Sequence, residues 1–253
     1  MEGKYDYAPG DDENDDNRHG ITFRSIKELF DQVNVRKASS GKYYRIYCSF
    51  LQIYNEKIYD LLNVSCLEGQ GLRLRWNKED QFKVENLFVF EVENYNEAIE
   101  IYNYGIKNRI VAAHNLNLFS SRSHCLFTLN VEAIDAENME QMVISKLQLV
   151  DLAGSERTMQ TGNYVNERHF KESIDINKSL FILRKVISIL SEDSSVSSGK
   201  SKEHKFIPYR DSKLTSLLKQ SLGGSSYCLM VIRHYFIIKT KVDCMCSTIR
   251  CVC

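Results

Sequence analysis

The chain has 253 residues, 43% of them hydrophobic and 26% charged, which is enough to bury a core and ordinary for a globular protein. Its two prolines, Pro9 and Pro208, exclude collagen, mucin-like stalks and Pro-rich linkers, and no stretch reaches the roughly 18 apolar residues of a membrane span. Thirty-three basic and thirty-three acidic side chains cancel, so global charge argues neither for nor against a nucleic acid or a membrane.

The cancellation is not local. Residues 1–19 carry two basic and seven acidic side chains, and the run DDENDDN reads as a solvated loop. Its oxygens could suit Ca²⁺, but the glycine and terminal glutamate of an EF-hand loop are missing. Residues 200–219 carry six basic and two acidic side chains around the peptide FIPYRDSK.

In chain order, apolar residues at 21, 23, 26, 29, 30 and 33 predict an amphipathic helix, with KASSGK as the turn after it. YYRIYCSFLQIY (Tyr43–Tyr54) is aromatic and alternating, a strand by composition. NEKIYDLL reads as a helical turn. Residues 63–93 form a small β excursion, and 96–111 a second helix. Cys125–Ala133 and Val143–Leu152 alternate as paired strands around DAENMEQ. Ile176, Leu180, Leu183, Ile187 and Leu190 place one apolar stripe on a third helix. A Ser-rich loop follows, then a short helix from Lys213 to Ser221 stopped by Gly223–Gly224, and a last strand over 226–232. Interspersed helices and strands indicate an α/β domain. The cysteines Cys48, Cys66, Cys125 and Cys228 read as reduced thiols, since no signal peptide precedes them.

Two segments carry chemistry. The strand KLQLV ends in DLAGSE (Asp151–Glu156). An aspartate at the carboxyl edge of a strand can reach Mg²⁺ through water, and Gly154 lets a phosphate approach its N–H. A bare D-x-x-G is also an ordinary strand-end turn. NLFSSRSH (Asn117–His124) gathers hydroxyls, an amide, a guanidinium and an imidazole, which suit phosphate and Mg²⁺ contacts. The same residues also suit a polar loop whose serines cap backbone groups.

With INKSL (Ile176–Leu180) and PYRDSKLTSLL (Pro208–Leu218) following in order, the chain resembles the kinesin motor domain. NxxSSRSH resembles its switch I and DLAGSE its switch II. ESIDINKSLFILRKVI resembles the helix that lies on tubulin, and FIPYRDSKLTSLLKQSLGG the loop and helix after it. The resemblance runs from Met1 to about Met230. It implies a P-loop NTPase motor fold, α/β, with a mixed central sheet and helices on both faces. It implies ATP and Mg²⁺ as ligands, with Ser121 and Asp151 at the metal through water. By the same resemblance, Asn117, Ser120 and Ser123 would line the same loop, Gly154 resembles the γ-phosphate sensor, and Arg122 and Glu156 resemble the pair that links the switches. Asn177, Lys178, Phe206, Arg210 and Lys213 fall on the tubulin face, where the local positive charge suits an acidic partner. The implied partner is the microtubule, with no nucleic acid or membrane, in the cytoplasm on the cytoskeleton. Dimerisation would need stalk segments not present here.

The chain departs from the family in two places. No G-x-x-x-x-G-K-[ST] precedes the first helix, and Gly199-Lys200-Ser201 is a decoy, with serine at 194 where the first glycine belongs. The expectation is that this chain alone binds ATP poorly and does not turn it over. After Met230 the sequence no longer follows the family, so 1–230 reads as a partial motor domain and 231–253 as a divergent tail outside it. The tail's C-x-C-x4-C-x-C spacing resembles thiolate metal ligation, but the surrounding chain is short for enclosing a metal. Two function classes stand: a microtubule-dependent ATPase motor, and a non-enzymatic microtubule-binding module derived from one.

Overall fold

Alternation along one long strand separates the molecule into two layers. In β1 (Tyr43–Tyr54), Ile46, Cys48 and Phe50 face one hydrophobic cluster, while Leu51 and Ile53 face another. The computed structural model describes residues 20–63, 65, 70–77, 82–116, 123–135, 142–154, 178–191, 206–234 and 247–252.

The helix α1 (Ile21–Ser40) includes the KASS expected as a turn. Ser39 and Ser40 donate to the carbonyls of Val35 and Arg36, and Gly41 at φ 61° ends the helix in the left-handed conformation. NEKIYDLL is not helical. Its residues form β2 (Lys57–Asp60), which pairs back on β1 from Tyr54↔Lys57. Asn55 and Glu56 between them both have positive φ, 50° and 54°, the backbone sense of a two-residue hairpin turn. Asp60 closes β2: its buried carboxylate accepts from Leu62 N–H at 2.8 Å and Phe88 N–H at 2.7 Å. Burial pushes its pKa up against the pull of those N–H groups.

The β excursion divides into a separate hairpin, β3 (Leu74–Trp76) with β4 (Phe82–Val84), and β5 (Phe90–Val92), which joins β1. Helix α2 (Tyr95–Leu116) begins at a reciprocal cap. Glu97 N–H donates to Asn94 Oδ1, and the Glu97 carboxylate accepts from Glu93 N–H. The expected strand pair is present as β6 (His124–Ile134) and β7 (Met142–Asp151), antiparallel from Cys125↔Asp151 to Ile134↔Met142. Helix α3 covers 178–191.

The single helix expected over Lys213–Ser221 is two five-residue segments, α4 (Lys213–Leu217) and α5 (Lys219–Gly223), joined at Leu218. A 3₁₀ turn at Tyr209–Asp211 precedes them. The main sheet runs β2-β1-β6-β7-β9-β8, with β8 at Leu229–His234 and β9 at Ser247–Val252. Strand β9 comes from the segment that the sequence sets apart, and it pairs antiparallel with both β7 and β8.

Helices cover both faces. On one, α1 and α2 bring Phe23, Ile26, Phe30 and Tyr102 against Phe50 and Phe127. Tyr102 stacks on Phe50 at 5.4 Å between centroids, and Phe127 meets Phe50 edge-on at 5.3 Å. On the other, Leu183 of α3 and Leu214 and Leu218 around α4 cover Leu126 and Val150.

Candidate functional site

The carboxyl end of β7 is where four segments converge. Asp151 ends the strand beside Cys125 of β6. The adjoining Leu152 and Ala153 are buried, and Gly154 follows them. Arg109 reaches across from α2, its Nη1 lying 3.3 Å from Asp151 Oδ2. The pair is largely shielded, with the side chains 11% and 27% exposed. Neighbouring Asn108 fixes α2 in register by donating to the Leu61 carbonyl at 2.7 Å.

Ser123 and His124 enter the same region at the start of β6. The Ser123 hydroxyl is fully buried and has no hydrogen-bond partner among the described residues. A buried hydroxyl without a partner costs about 1–3 kcal/mol, so this position calls for something to bond. The His124 imidazole, named above among groups suited to phosphate, is already engaged on both nitrogens. Ala153 N–H donates to Nδ1 at 3.0 Å, and Nε2 lies 2.9 Å from Ser179 Oγ on α3. Because Nδ1 accepts, the proton of the neutral ring is on Nε2, which donates to Ser179. Burial lowers the pKa of His124 to about 4; the Asp151 carboxylate opposes this and the Arg109 cation adds to it. The ring is a structural bond here rather than an anion ligand.

Of the residues named from the sequence, the structure brings Ser123, Asp151 and Gly154 to this strand edge. Asn117, Ser120, Ser121, Arg122, Glu156 and Asn177 lie outside the described residues. Arg109 was not singled out by sequence reasoning. A lone arginine on a helix gives no signal, and its partner is 42 residues away.

A second group of residues, the basic face, carries the positive charge of α3 and the 206–219 segment. Lys178 is exposed at the start of the described part of α3, and the Phe206 side chain is 82% exposed. Arg210 lies with its guanidinium carbon 4.8 Å from the centre of the Trp76 ring, and Lys219 Nζ lies 4.3 Å from the same ring. Two cations on one indole draw the β3–β4 hairpin and the 209–223 segment together. Lys213 donates its backbone N–H to Glu56 at 2.7 Å. Beside it, Lys57, Arg73, Arg75 and Lys213 line a shallow cleft of about 360 Å³ with Glu56. Trp76, Lys219 and Glu56 were also missed, because their partners are distant in sequence.

Among the described residues, no helix is long and apolar enough to cross a membrane, and no group of three or more His, Cys, Asp or Glu gathers as a metal cluster.

The chain matches the family described as "Kinesin motor domain" over residues 1–251. It is 41% identical over 228 residues to the kinesin-like protein Klp98A of Drosophila melanogaster, covering 85% of this chain and 18% of that protein. It is 40% identical over 217 residues to kinesin-related protein 1 of Dictyostelium discoideum, covering 84% of this chain and 10% of that protein. The chain therefore spans less than a fifth of the length of these two relatives. Among solved structures, it resembles that of a fast kinesin with a TM-score of 0.71 at 32% identity, covering 89% of this chain and 57% of that one. It also resembles the Kar3Vik1 motor and motor homology domain structure with a TM-score of 0.67 at 33% identity, covering 82% and 50%. The switch-like segments, the two-faced sheet and these matches agree, and the chain belongs to the kinesin motor-domain family.

Proposed function

We propose that the chain is the part of a kinesin motor that joins a nucleotide-sensing strand edge to a microtubule-binding face. The observation that carries this reading is the convergence at the end of β7 of Asp151, Gly154 and the Ser123 hydroxyl, which has no hydrogen-bond partner among the described residues. Kinesin motor domains bind nucleotide, and in this reading the nucleotide is ATP with Mg²⁺. The donor set fits the metal: Ser121 and Asp151 offer hard oxygens, and Mg²⁺ takes one or two carboxylates and leaves the remaining positions to waters and phosphates. When bound, the metal would neutralise charge on the phosphates.

The chain's own residues do the rest. Asp151 is held by Arg109, so a cation arriving there competes with a guanidinium already in place. Ser123 offers its hydroxyl, and Asn117 and Ser120 belong to the same loop. Gly154 presents a backbone N–H with no Cβ in front of it. By the family resemblance, Arg122 and Glu156 would link the two switch segments. In the same reading Lys178, Phe206, Arg210 and Lys213, with Asn177 by the family resemblance, are the residues that meet tubulin. The cations steer toward an acidic surface, and the bare Phe206 ring supplies apolar contact. The site of action is the cytoskeleton in the cytoplasm.

The second reading is a microtubule-binding module without hydrolysis. It is favoured by Arg210, Lys219 and Lys213 being ordered through Trp76 and Glu56. Co-sedimentation with microtubules in ADP and in a non-hydrolysable ATP analogue separates the two. A motor segment shows an affinity that changes with nucleotide; a module binds equally in both. Absence of binding in either state rejects both readings.

A further inference from the structure

The nucleotide side and helix α3 belong to different segments, and the described hydrogen bonds show one buried side chain bonded to both. His124 sits at the first residue of β6, directly after the SSRS run. Its Nδ1 accepts the N–H of Ala153, the residue before Gly154. Its Nε2–H donates to Ser179, the second described residue of α3, next to the exposed Lys178. The ring is 2% exposed and Ser179 is 3% exposed, so water does not compete for either bond.

The geometry points to His124 as a positioning residue: a rigid joint through which displacement of the Ala153–Gly154 backbone is passed to helix α3. This rests on the proposed function for what moves the backbone, but the joint itself rests on the two hydrogen bonds. A planar ring with a fixed tautomer suits the task. It has no torsion between its two nitrogens, so a shift at one bond must move the other partner or break a bond. A ring serving only to fill space would need neither nitrogen.

The test uses variants that each keep one arm. His124→Asn places an amide near the Nδ1 position and keeps the Ala153 bond, but is too short for Ser179. His124→Gln reaches toward Ser179 and gives up Ala153. Ser179→Ala removes the far partner and leaves the imidazole intact. The readout is the ratio of microtubule affinities in ADP and in the ATP analogue, with thermal unfolding as the control for folding. All three variants should reduce that ratio at least about fivefold, the low end of a coupling free energy. A merely structural role would lower the unfolding temperature and leave the ratio unchanged, and that result overturns the joint.

If the unmodified chain shows no nucleotide dependence, the proposed function falls, and hydrogen exchange decides the joint by itself. Ser179→Ala leaves Nε2–H without its acceptor and frees the ring. Exchange at the Ala153 amide, on a different segment, should then rise at least about threefold, on the scale of one net hydrogen bond. Unchanged exchange at Ala153 overturns the inference.

Discussion

Glu56 holds the start of a helix that lies 157 residues further along the chain. One carboxylate oxygen accepts the Lys213 N–H at 2.7 Å, and the other accepts the Ser212 hydroxyl at 2.7 Å. Ser212 in turn accepts from Leu214 N–H at 3.2 Å. A five-residue helix cannot support its own terminus, so the cap is supplied by the β1–β2 turn. Glu56→Ala should therefore destabilise the fold by about 1–2 kcal/mol, the usual cost of losing a strong cap. Glu56→Gln should retain part of that. Urea unfolding followed by circular dichroism checks both, and equal stability of all three chains would remove the cap from the account.

Trp76 is the only tryptophan in the chain, and it orders the basic face from the side. Arg210 and Lys219 lie over its ring, and Phe82 meets it edge-on at 4.6 Å. Each cation–π contact at such a site is worth about 0.5–1 kcal/mol. Trp76→Ala should weaken microtubule binding about two- to fivefold by releasing both cations from their fixed positions. Trp76→Phe should give an intermediate value.

Gly105 lies in α2 where the helix crosses β1. A Cβ at this position would run into the Phe50 ring, which is itself wedged between Tyr102 and Phe127. The ring cannot yield without moving both neighbours. Gly105→Ala would gain about 1 kcal/mol of helix propensity, but overpacking of this kind costs about 1–3 kcal/mol. The expected result is a net loss of stability, seen as a lower urea midpoint. A stabilised variant would show that the aromatic cluster has room to relax.

The buried imidazole of His124 should make stability depend on pH. Its pKa is about 4 in the folded chain, against roughly 6.5 when unfolded. Between those values the unfolded chain binds the extra proton and the folded chain does not. Stability is therefore complete above about pH 6.5 and falls as pH drops toward 4. Going from pH 7.5 to 5.0 should remove about 2 kcal/mol through this group. Arg109 and Asp151 face the ring with opposite effects on its proton, and other side chains titrate as well, so the comparison must be internal. His124→Asn should be less stable at pH 7.5 and lose about 2 kcal/mol less on acidification. Parallel curves for the two chains would contradict the low pKa.

The strands were legible because their patterning is two-sided. Ile46, Cys48 and Phe50 against Leu51 and Ile53 mark a strand buried on both faces, and β6 and the carboxyl end of β7, with Leu149 and Val150, carry the same signature. The hairpin at Asn55–Glu56 was not legible. IYDLL has a helical spacing of apolar residues, and the turn lacks the glycine that usually marks a left-handed pair. The break at Leu218 was hidden for a similar reason, since KLTSLLKQSL reads as one continuous helical stripe. Of the candidate site residues, Asp151, Gly154 and Ser123 lie within short motifs that the sequence shows directly. Arg109, Trp76 and Glu56 do not, because each acts on a partner brought near by folding and leaves no local pattern.

The alternation along β1 and β6 has a mechanical consequence. Side chains of α1 and α2 meet one surface of the sheet, those of α3 and α4 meet the other, and the two sets are separated by a single thickness of backbone. Tilting of α3 cannot be absorbed by α1 or α2 through direct contact. Any tilt of α3 would have to register against the sheet, whose rim carries Asp151 at the end of its strand, where the chain turns toward Gly154.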